Sequence, residues 1–264
     1  MKITALVENT SESELRPVHG LSFYIETEKH KILFDLGPND TIFKNAEKKN
    51  IDLSEVDTVI ISHGHSDHGG ALRHFLKINK KARIYLQRSA YEPHYSKALF
   101  LKVYVGLDTK TKNDPNIVLL DGDFKIDDEL SLFVSKVKNE LVSDANKALF
   151  SKDGPDDFRH EQNLLIHENK DVLLMGCGHS GVISILKSLG GTRPDVCIGG
   201  FHVYNPISKK TVPEYQLSAL ADALRDYGDI EFYTCHCTGT KAYDYLSSKL
   251  SNLKYFSCGE ELRI

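Results

Sequence analysis

The sequence predicts a layered α/β fold in a single domain spanning residues 1–264. Strand-like apolar runs alternate with helix-like spacings along the first half of the chain, a pattern typical of sheets covered by helices. The apolar runs are short and lie far below the roughly 20 residues that a membrane-spanning helix requires. With 41% hydrophobic and 27% charged residues, the composition is that of a globular protein and argues against a disordered or membrane-embedded chain.

The first half of the chain is expected to place three strands before two helix–strand units. The predicted elements are, in order, strands near 2–8, 21–27 and 31–37, a helix over 40–49, a strand ending at Ile61, a helix over 71–76 and a strand at 83–86. The segment 89–116 is the least regular. We interpret it as an excursion or lid on the substrate side, with a variable surface loop as the alternative.

The second half continues with short strands that end in glycine-rich corners. Residues 117–137 give a hairpin-like β pattern, and 163–167 with 171–175 predict two paired strands. The remaining predicted elements are a helix from Val182, a strand ending at Ile198, a strand at 230–234 and a helix over 241–250.

Residues 60–70 carry three imidazoles and one carboxylate within six residues, directly after an apolar run. Imidazole and carboxylate are ligands that zinc, iron and manganese accept. In an extended chain His63 and His65 point the same way and can share one ion, while Asp67 and His68 fall in the following turn and can reach a second. A His-rich surface loop is the simpler alternative, but such a loop rarely follows a β-rich run and ends in Gly-Gly.

The H-x-H-x-D-H pattern of residues 63–68, with Asp35 upstream, resembles the metallo-β-lactamase superfamily, and the likeness covers nearly the whole chain. The resemblance implies an αββα four-layer sandwich of two mostly antiparallel sheets with outer helices, holding one or two metal ions at a sheet edge. Further motifs resemble a subgroup that includes the archaeal dihydropterin-linked aminobenzene ribofuranosyl phosphate synthases. These motifs are Glu8-Asn9 and the stretches 19–22, 176–181, 199–202 and 235–239.

His179 is our choice for the third ligand of the ion shared by His63 and His65. It lies at a predicted strand-to-helix corner, where glycines on both sides allow close approach to a metal, and the subgroup resemblance points to it. His160 is the alternative, because it lies where the superfamily often has its third histidine. Many members carry a bridging Asp where this chain has Cys177. A thiolate bridge, a single-ion site, a remodelled pair of ions and a buried apolar role for Cys177 all stay open.

His236, after the predicted strand at 230–234, is our choice for the last ligand of the second ion. Cys235 and Cys237 flank it and offer sulfur to a soft metal, although no second C-x-C or C-x-x-C completes a four-sulfur site. His202 follows another apolar strand and a glycine pair, and we assign it to acid/base catalysis or substrate contact, with metal ligation and plain packing as alternatives. Asp67 is expected to orient the nucleophile or hold the second metal.

Two predicted helix starts, at Ser180-Gly181 and Thr238-Gly239, offer free N–H groups to an anion. We therefore expect a small-molecule substrate that is anionic or carries phosphate. The other histidines lack such contexts and are taken as ordinary residues, with a reservation for the first of them because of the subgroup resemblance: His19, His30, His74, His94 and His167.

The net charge and the number of cysteines indicate which partners and which cellular compartment to expect. A net charge of −4 and a pI near 6.3 argue against a nucleic-acid partner. The N-terminus enters a strand pattern without a secretory signal, and five cysteines, an odd number, fit a reducing compartment. We therefore expect a cytoplasmic protein without a membrane partner. The oligomeric state is left open.

These observations together predict a metal-dependent hydrolase in which metal-activated water attacks an ester or a phosphate-containing small molecule. Two divalent ions are expected; zinc fits best, and iron, manganese and magnesium stay open. The alternative implied by the subgroup resemblance is a transferase that joins a dihydropterin pyrophosphate to an aromatic ribofuranosyl phosphate and releases pyrophosphate. A redox-active iron protein is a third class, and a non-enzymatic metal-binding module is the least favoured.

Overall fold

Two seven-stranded sheets lie at the centre of the structure, a computed structural model that describes residues 1–98, 101–137 and 141–264. The first sheet has the spatial order Glu261–Arg263, Lys2–Val7, Ser22–Glu26, Lys31–Phe34, Thr58–Ile60, Arg83–Gln87, Ile117–Leu120. The second has the order Leu253–Tyr255, Glu231–Thr234, Val196–Gly199, Asp171–Leu174, Asn163–His167, Leu130–Phe133, Phe124–Lys125. Each sheet thus draws almost all its strands from one half of the chain.

Helices cover the outer face of each sheet. The helices are Thr41–Lys48, Ser66–Gly69, Leu72–Ile78, Val182–Ser188, Glu214–Leu224 and Thr240–Ser247. Single 3-10 turns lie at Leu53–Glu55, Arg88–Tyr91, Thr109–Thr111, Asp144–Ala148, Arg225–Tyr227 and His236–Thr238. Within the described ranges, no helix is long and apolar enough to cross a membrane.

Three apolar layers hold these elements together. The middle layer lies between the sheets and joins side chains such as Phe23 and Phe34 of the first sheet to Leu164 and Ile198 of the second. One outer layer packs the first sheet against the helices Thr41–Lys48 and Leu72–Ile78, and the other packs the second sheet against the three helices of the C-terminal half. A fully buried side chain of this size contributes about 1.5–3 kcal/mol. The predicted αββα four-layer sandwich is therefore confirmed.

The expectation of mostly antiparallel sheets is wrong. Each sheet has three antiparallel and three parallel pairings. The reason is connectivity, because a strand followed by a helix that crosses the sheet face returns parallel to its predecessor. Lys31–Phe34, Thr58–Ile60 and Arg83–Gln87 are joined in this way.

The hairpin predicted for residues 117–137 is confirmed only in its second part, because Phe124–Lys125 pairs antiparallel with Leu130–Phe133, whereas the first predicted strand does not join it. Ile117–Leu120 pairs parallel with Arg83–Gln87 at the edge of the first sheet, whereas Leu130–Phe133 pairs with Asn163–His167 in the second. The intervening residues therefore carry the chain from one sheet to the other. Local alternation cannot distinguish a hairpin from such a crossing, because both strands bury one face against the same middle layer.

The described residues of segment 89–116 include two β-strands and lie beside the loop that carries the H-x-H-x-D-H pattern. His94–Ala98 is the central strand of a three-stranded sheet and pairs with Leu149–Ser151 on one side and Leu101–Tyr104 on the other. The backbone N–H of Ser66 donates to the carbonyl of Val105 at 2.7 Å, so the segment is tied directly to the loop that carries the H-x-H-x-D-H pattern. Residues 99–100 lie outside the described residues. The action of this segment as a lid stays a prediction.

Candidate metal centre

Five strands bring the site together, because their carboxyl ends meet at one edge of the two sheets. Parallel strands in α/β proteins place ligand-binding groups at this end. The positions are, in chain order, Asp35 after Lys31–Phe34, His63 after Thr58–Ile60, Cys177 after Asp171–Leu174, His202 after Val196–Gly199 and His236 after Glu231–Thr234. Residues far apart in the sequence therefore converge without any long loop.

His63, His65 and His179 form a first triad. One ligand-type atom of each lies within 4.8 Å of the others, and the Nε2 atoms of His63 and His179 are 3.4 Å apart. All three side chains are buried. Three imidazoles converging at this spacing match the ligand set of a zinc site that leaves one position open.

Asp67, His68 and His236 form a second triad beside the first. The Nε2 atoms of His68 and His236 are 3.2 Å apart, and Asp67 Oδ2 lies 3.4 Å from His236 Nε2 and 4.0 Å from His68 Nε2. The Asp67 carboxylate also accepts from His19 Nε2 at 3.2 Å. The structure thus brings all six residues chosen as ligands from the sequence into two adjacent groups.

In four of these histidines, Nδ1 is hydrogen-bonded to a side-chain oxygen on the side of the ring opposite Nε2. With the proton of the neutral ring fixed on Nδ1, the lone pair stays on Nε2 and points into the site. The partners are Ser62 Oγ for His63 at 2.8 Å, Asp35 Oδ2 for His68 at 2.7 Å, Asn146 Oδ1 for His179 at 2.9 Å and Asn9 Oδ1 for His236 at 2.9 Å.

This arrangement fits a bound cation. The Nε2 lone pairs of His63 and His179 face each other with no proton to share between them, whereas His68 and His236 face each other across the one proton that charged His68 carries on Nε2. Buried acceptors facing acceptors are destabilising unless a donor or a cation lies between them. A divalent ion in each triad would satisfy both pairs at once.

The charges around His68 differ from those around the first triad. Burial lowers the pKa of all three histidines of the first triad well below the ordinary value. Burial also disfavours charged His68, but the charges of Asp35 and Asp67 outweigh it and raise the pKa of His68 to about 9. The second triad therefore attracts a positive charge more strongly, whether that charge is a proton or a metal ion.

Cys177 lies between the two triads. Its sulfur is 3.3 Å from His68 Nε2, and its ligand-type atom groups both with His63 and His68 and with His236 and Cys237. Burial raises the pKa of the Cys177 thiol well above its usual value, so a thiolate here needs a cation in contact with the sulfur. The sulfur of Cys177 is therefore within reach of ligand-type groups from both triads.

His160, the alternative third ligand, lies beside the first triad, where it groups with His65, His94 and Asp156 as a possible ligand, but both of its ring nitrogens are already engaged. Its Nδ1 accepts the backbone N–H of Gly64 at 2.9 Å, which leaves the proton on Nε2, and that atom faces Asp156 Oδ2 at 3.3 Å. The same carboxylate oxygen contacts His94 Nδ1 at 2.9 Å. This buried His–Asp–His group fixes the backbone between His63 and His65, and His179 as the third ligand of the first ion stays a prediction.

The predicted anion sites at two helix starts are not part of the site. Glu161 Oε1 and Oε2 already accept the backbone N–H groups of His179 and Ser180, at 2.6 and 2.8 Å. Thr238 is fully buried, and its hydroxyl accepts from the backbone of Phe201 at 2.9 Å. The adjoining Gly181 and Gly239 line no part of the central cavity. We therefore withdraw Ser180, Gly181, Thr238 and Gly239 as substrate contacts.

His202 lies at the wall of the central cavity. Its ring centroid is 4.1 Å from that of His179, and it groups with Cys177 and His179 as a possible ligand. Neither ring nitrogen has a hydrogen-bond partner among the described residues. Its backbone lies in the left-handed region with φ of 46°, a conformation that is costly for a non-glycine residue and is often kept at functional sites.

The central cavity has a volume of about 250 Å³ and opens beside both triads. Its lining combines ligand-type groups with a few apolar side chains: His19, His65, Ser66, Asp67, Ser96, Val105, Ala145, Leu149, Cys177, His179, His202, Asn205, Pro206, Ile207, His236 and Cys237. A small molecule in this cavity would contact both predicted ions. This is the arrangement of a substrate site rather than of a closed structural metal site.

Several residues of the site were missed from the sequence. His19 and His94 were taken as ordinary residues, yet the first contacts Asp67 and the second contacts Asp156. Glu8 accepts the backbone N–H of His236 at 2.7 Å. The Glu8-Asn9 and His19 motifs were available signals, because both belong to the subgroup resemblance. Nothing local marked the Asn146 and Asp156 side chains.

Comparison with known proteins agrees with this architecture. A family model described as the metallo-beta-lactamase superfamily matches residues 15–189. A protein of Methanocaldococcus jannaschii named 7,8-dihydropterin-6-methyl-4-(beta-D-ribofuranosyl)-aminobenzene-5'-phosphate synthase is 30% identical over 272 residues, covering 92% of this chain and 89% of that protein. An uncharacterized protein of the same organism is 27% identical over 274 residues, covering 99% and 100%.

A solved structure extends the comparison to the fold. Tm1679, described as a metal-dependent hydrolase of the beta-lactamase superfamily, superposes with a TM-score of 0.81 at 25% identity, covering 100% of this chain and 99% of that one. The superposition therefore spans both sheets of this chain.

Proposed function

The chain belongs to the metallo-beta-lactamase superfamily, and from that premise we propose that it is a metal-dependent hydrolase acting on an ester or phosphate-containing small molecule. The first triad would hold one divalent ion and the second triad another, with Cys177 in contact with both. Zinc is the ion we propose, because imidazole, carboxylate and thiolate are its preferred ligands. Such ions, when bound, activate water and polarise the substrate oxygen.

One observation carries the proposal: the Nε2 atoms of His63 and His179, and those of His68 and His236, face each other in two pairs beside an open cavity. Structural zinc sites are closed by four protein ligands, whereas catalytic sites leave a position for substrate or water. The walls of this cavity provide further polar groups in reach of a bound molecule. Its volume suits a small molecule or one end of a larger one.

Asp67 and His202 are the two residues to which we assign the remaining steps of the reaction. Asp67 accepts from His19 and faces the second triad, so it can hold the ion and orient a nucleophile at the same time. His202 has both ring nitrogens free and lies beside His179. It is therefore placed to give a proton to the leaving group.

The test is hydrolysis of a panel of 4-nitrophenyl esters and phosphodiesters by the zinc-loaded protein. We expect turnover that disappears when a chelator removes the metal and returns when zinc is added back. A matched comparison of His202→Gln with His74→Gln, an exposed histidine of the outer helix, should lower kcat in the first variant only. Metal-independent turnover, or no turnover with any ester or phosphodiester, would contradict the proposal.

A transferase is the second candidate, and the specific observation in its favour is the 30% identical relative named as a synthase, which this chain matches over 92% of its length. In that reaction the metal centre would bind the pyrophosphate leaving group and the acceptor would be an aromatic ring carbon. Pyrophosphate release that requires an aromatic acceptor would favour the transferase. Release with water alone would favour the hydrolase.

We also propose that the protein works in the cytoplasm. The support is that all five cysteines are free and buried, and that three of them, Cys177, Cys235 and Cys237, lie within or beside the proposed metal centre, where an oxidising compartment would threaten the sulfur ligands.

A further inference from the structure

A second cavity, with a volume of about 700 Å³, adjoins the central one. Ala145, Asn205 and Ile207 line both cavities, so a molecule bound over the two triads can extend into the second without crossing the protein. The side chains that distinguish this second cavity are charged. We name it the lysine cavity after Lys97, Lys147 and Lys210 in its walls.

The lysine cavity carries an excess of positive charge. Its three lysines contribute +3 and its one carboxylate, Asp144, contributes −1, which leaves +2 on a chain whose net charge is −4. Asp144 is engaged by Lys147, at 2.7 Å between its Oδ1 and the lysine Nζ. Among the residues that the structure describes, Lys97 and Lys210 have no ion-pair partner.

These lysines come from separate parts of the chain. Lys97 lies on the strand His94–Ala98, Lys147 on the turn Asp144–Ala148, and Lys210 on the short strand Lys210–Thr211. Three exposed lysines from three segments of the chain give this cavity a positive potential that attracts an anionic ligand.

The lysine cavity also provides neutral donors. Ser208 and Thr211 line it and carry hydroxyl groups. One of the anion sites expected from the sequence is filled, because Glu161 accepts the backbone N–H groups just before the helix Val182–Ser188. The excess positive charge of this part of the molecule therefore lies next to the central cavity rather than inside it.

We propose that the lysine cavity binds a phosphate group at the far end of a substrate whose reacting bond lies over the two triads. A phosphate monoester carries a charge of about −1.5 to −2 at pH 7, which matches the excess of +2. The proposal rests on the proposed function for the position of the reacting bond. It adds the substrate class: an elongated molecule with a terminal phosphate separate from the bond that reacts.

The test is a titration of the zinc-loaded protein with inorganic phosphate, followed by ³¹P NMR line broadening. We compare the wild type with the double variant Lys97→Gln/Lys210→Gln. The control is Lys44→Gln/Lys77→Gln, which removes two exposed lysines from the helices on the opposite outer layer. We expect the control to keep the wild-type Kd and the double variant to raise it about tenfold, the effect of losing two partly screened ion pairs. Added salt should reduce the difference.

The same Kd in all three proteins would mean that phosphate binds at the zinc alone, and would overturn the proposal. This failure can be told apart from failure of the proposed function. Metal-dependent ester turnover with an unchanged Kd keeps the hydrolase and removes the phosphate site. A raised Kd in the double variant without any metal-dependent turnover keeps the phosphate site and removes the hydrolase.

Discussion

Replacing Asp35 by Asn should weaken zinc binding while leaving every metal ligand in place. The Asp35 carboxylate is fully buried and accepts three hydrogen bonds of 2.7 Å: from the backbone N–H of Ser62, from Ser62 Oγ and from His68 Nδ1. An amide keeps one acceptor oxygen, so its NH₂ group must face at least one of these donors. His68 then loses the partner that holds its ring and keeps its lone pair on Nε2.

The magnitude follows from those contacts. Loss of a carboxylate behind a ligating histidine typically costs 10–100-fold in metal affinity, which is about 1.4–2.7 kcal/mol. Each hydrogen bond to a charged group contributes about 1.5–3 kcal/mol, so the metal-free variant should lose about 3 kcal/mol or more of unfolding free energy. Asp35 also raises the pKa of His68, so that pKa should fall in the variant.

The assay is a competition for zinc between the protein and a chromophoric chelator, with circular dichroism on the same samples to establish that the variant is folded. Asp128→Asn is the control, because Asp128 is 89% exposed and contacts Lys125 rather than the site. A zinc affinity of Asp35→Asn equal to that of the control would refute the reasoning that hydrogen bonds from behind set the geometry of the site.

Three further changes test other parts of the account. His65→Ala should strip metal without unfolding the chain, whereas His74→Ala on the outer helix should not; unchanged metal content in His65→Ala would remove it from the ligand set. His30→Gln should flatten the pH dependence of unfolding: burial lowers the pKa of His30, but its hydrogen bonds to Asp57 and Asp127, at 2.9 and 2.6 Å, outweigh burial and raise it. The stabilisation of the folded state by charged His30 is therefore complete below about pH 6.5, the pKa of histidine in the unfolded chain, and disappears as the pH rises through the raised pKa of the folded state. If the unfolding free energy of the wild type depends on pH no more steeply than that of the variant over this range, the ion pair does not stabilise the protein. Gly176→Ala should lower the unfolding free energy by about 1–3 kcal/mol, because a Cβ there would overlap Ser62 Oγ; denaturant unfolding equal to that of Gly228→Ala, where a Cβ would meet only the carbonyl oxygen of Arg225 at 3.4 Å, would contradict this.

Local patterns in the sequence were sufficient to predict the part of the site that residues 63–68 form. His63, His65, Asp67 and His68 lie within six residues, so spacing alone indicated how they divide between two ions, and the structure brings them together in that way. The strand that precedes them was equally visible, because its apolar residues form a continuous run.

Partners that are distant along the chain could not be predicted. Asn146 holds His179 across 33 residues, and Asn9 holds His236 across 227. No periodicity marks such residues, because only the folded chain decides which amide reaches which ring. The resemblance to a subgroup named the Glu8-Asn9 motif but did not indicate what it contacts.

The errors have the same physical origin. A helix start with free N–H groups was expected to bind phosphate, but Glu161 fills the first of these sites, and the sequence does not show which side chain will reach it. The predicted hairpin at 117–137 failed in its first part because its two strands bury their apolar faces against one shared layer from opposite sheets. In both cases a tertiary contact decided between alternatives that are locally equivalent.

The central claim is that the two triads hold two divalent ions with Cys177 between them. Elemental analysis of the purified chain, in metals per protein, tests it most directly when the wild type is compared with Cys177→Ser. We expect two equivalents in the wild type and a loss of one in the variant, because removal of the thiolate takes one ligand from each ion and releases the less tightly held one. One equivalent in the wild type, unchanged by the substitution, would contradict the two-ion site and restrict the chemistry to the first triad.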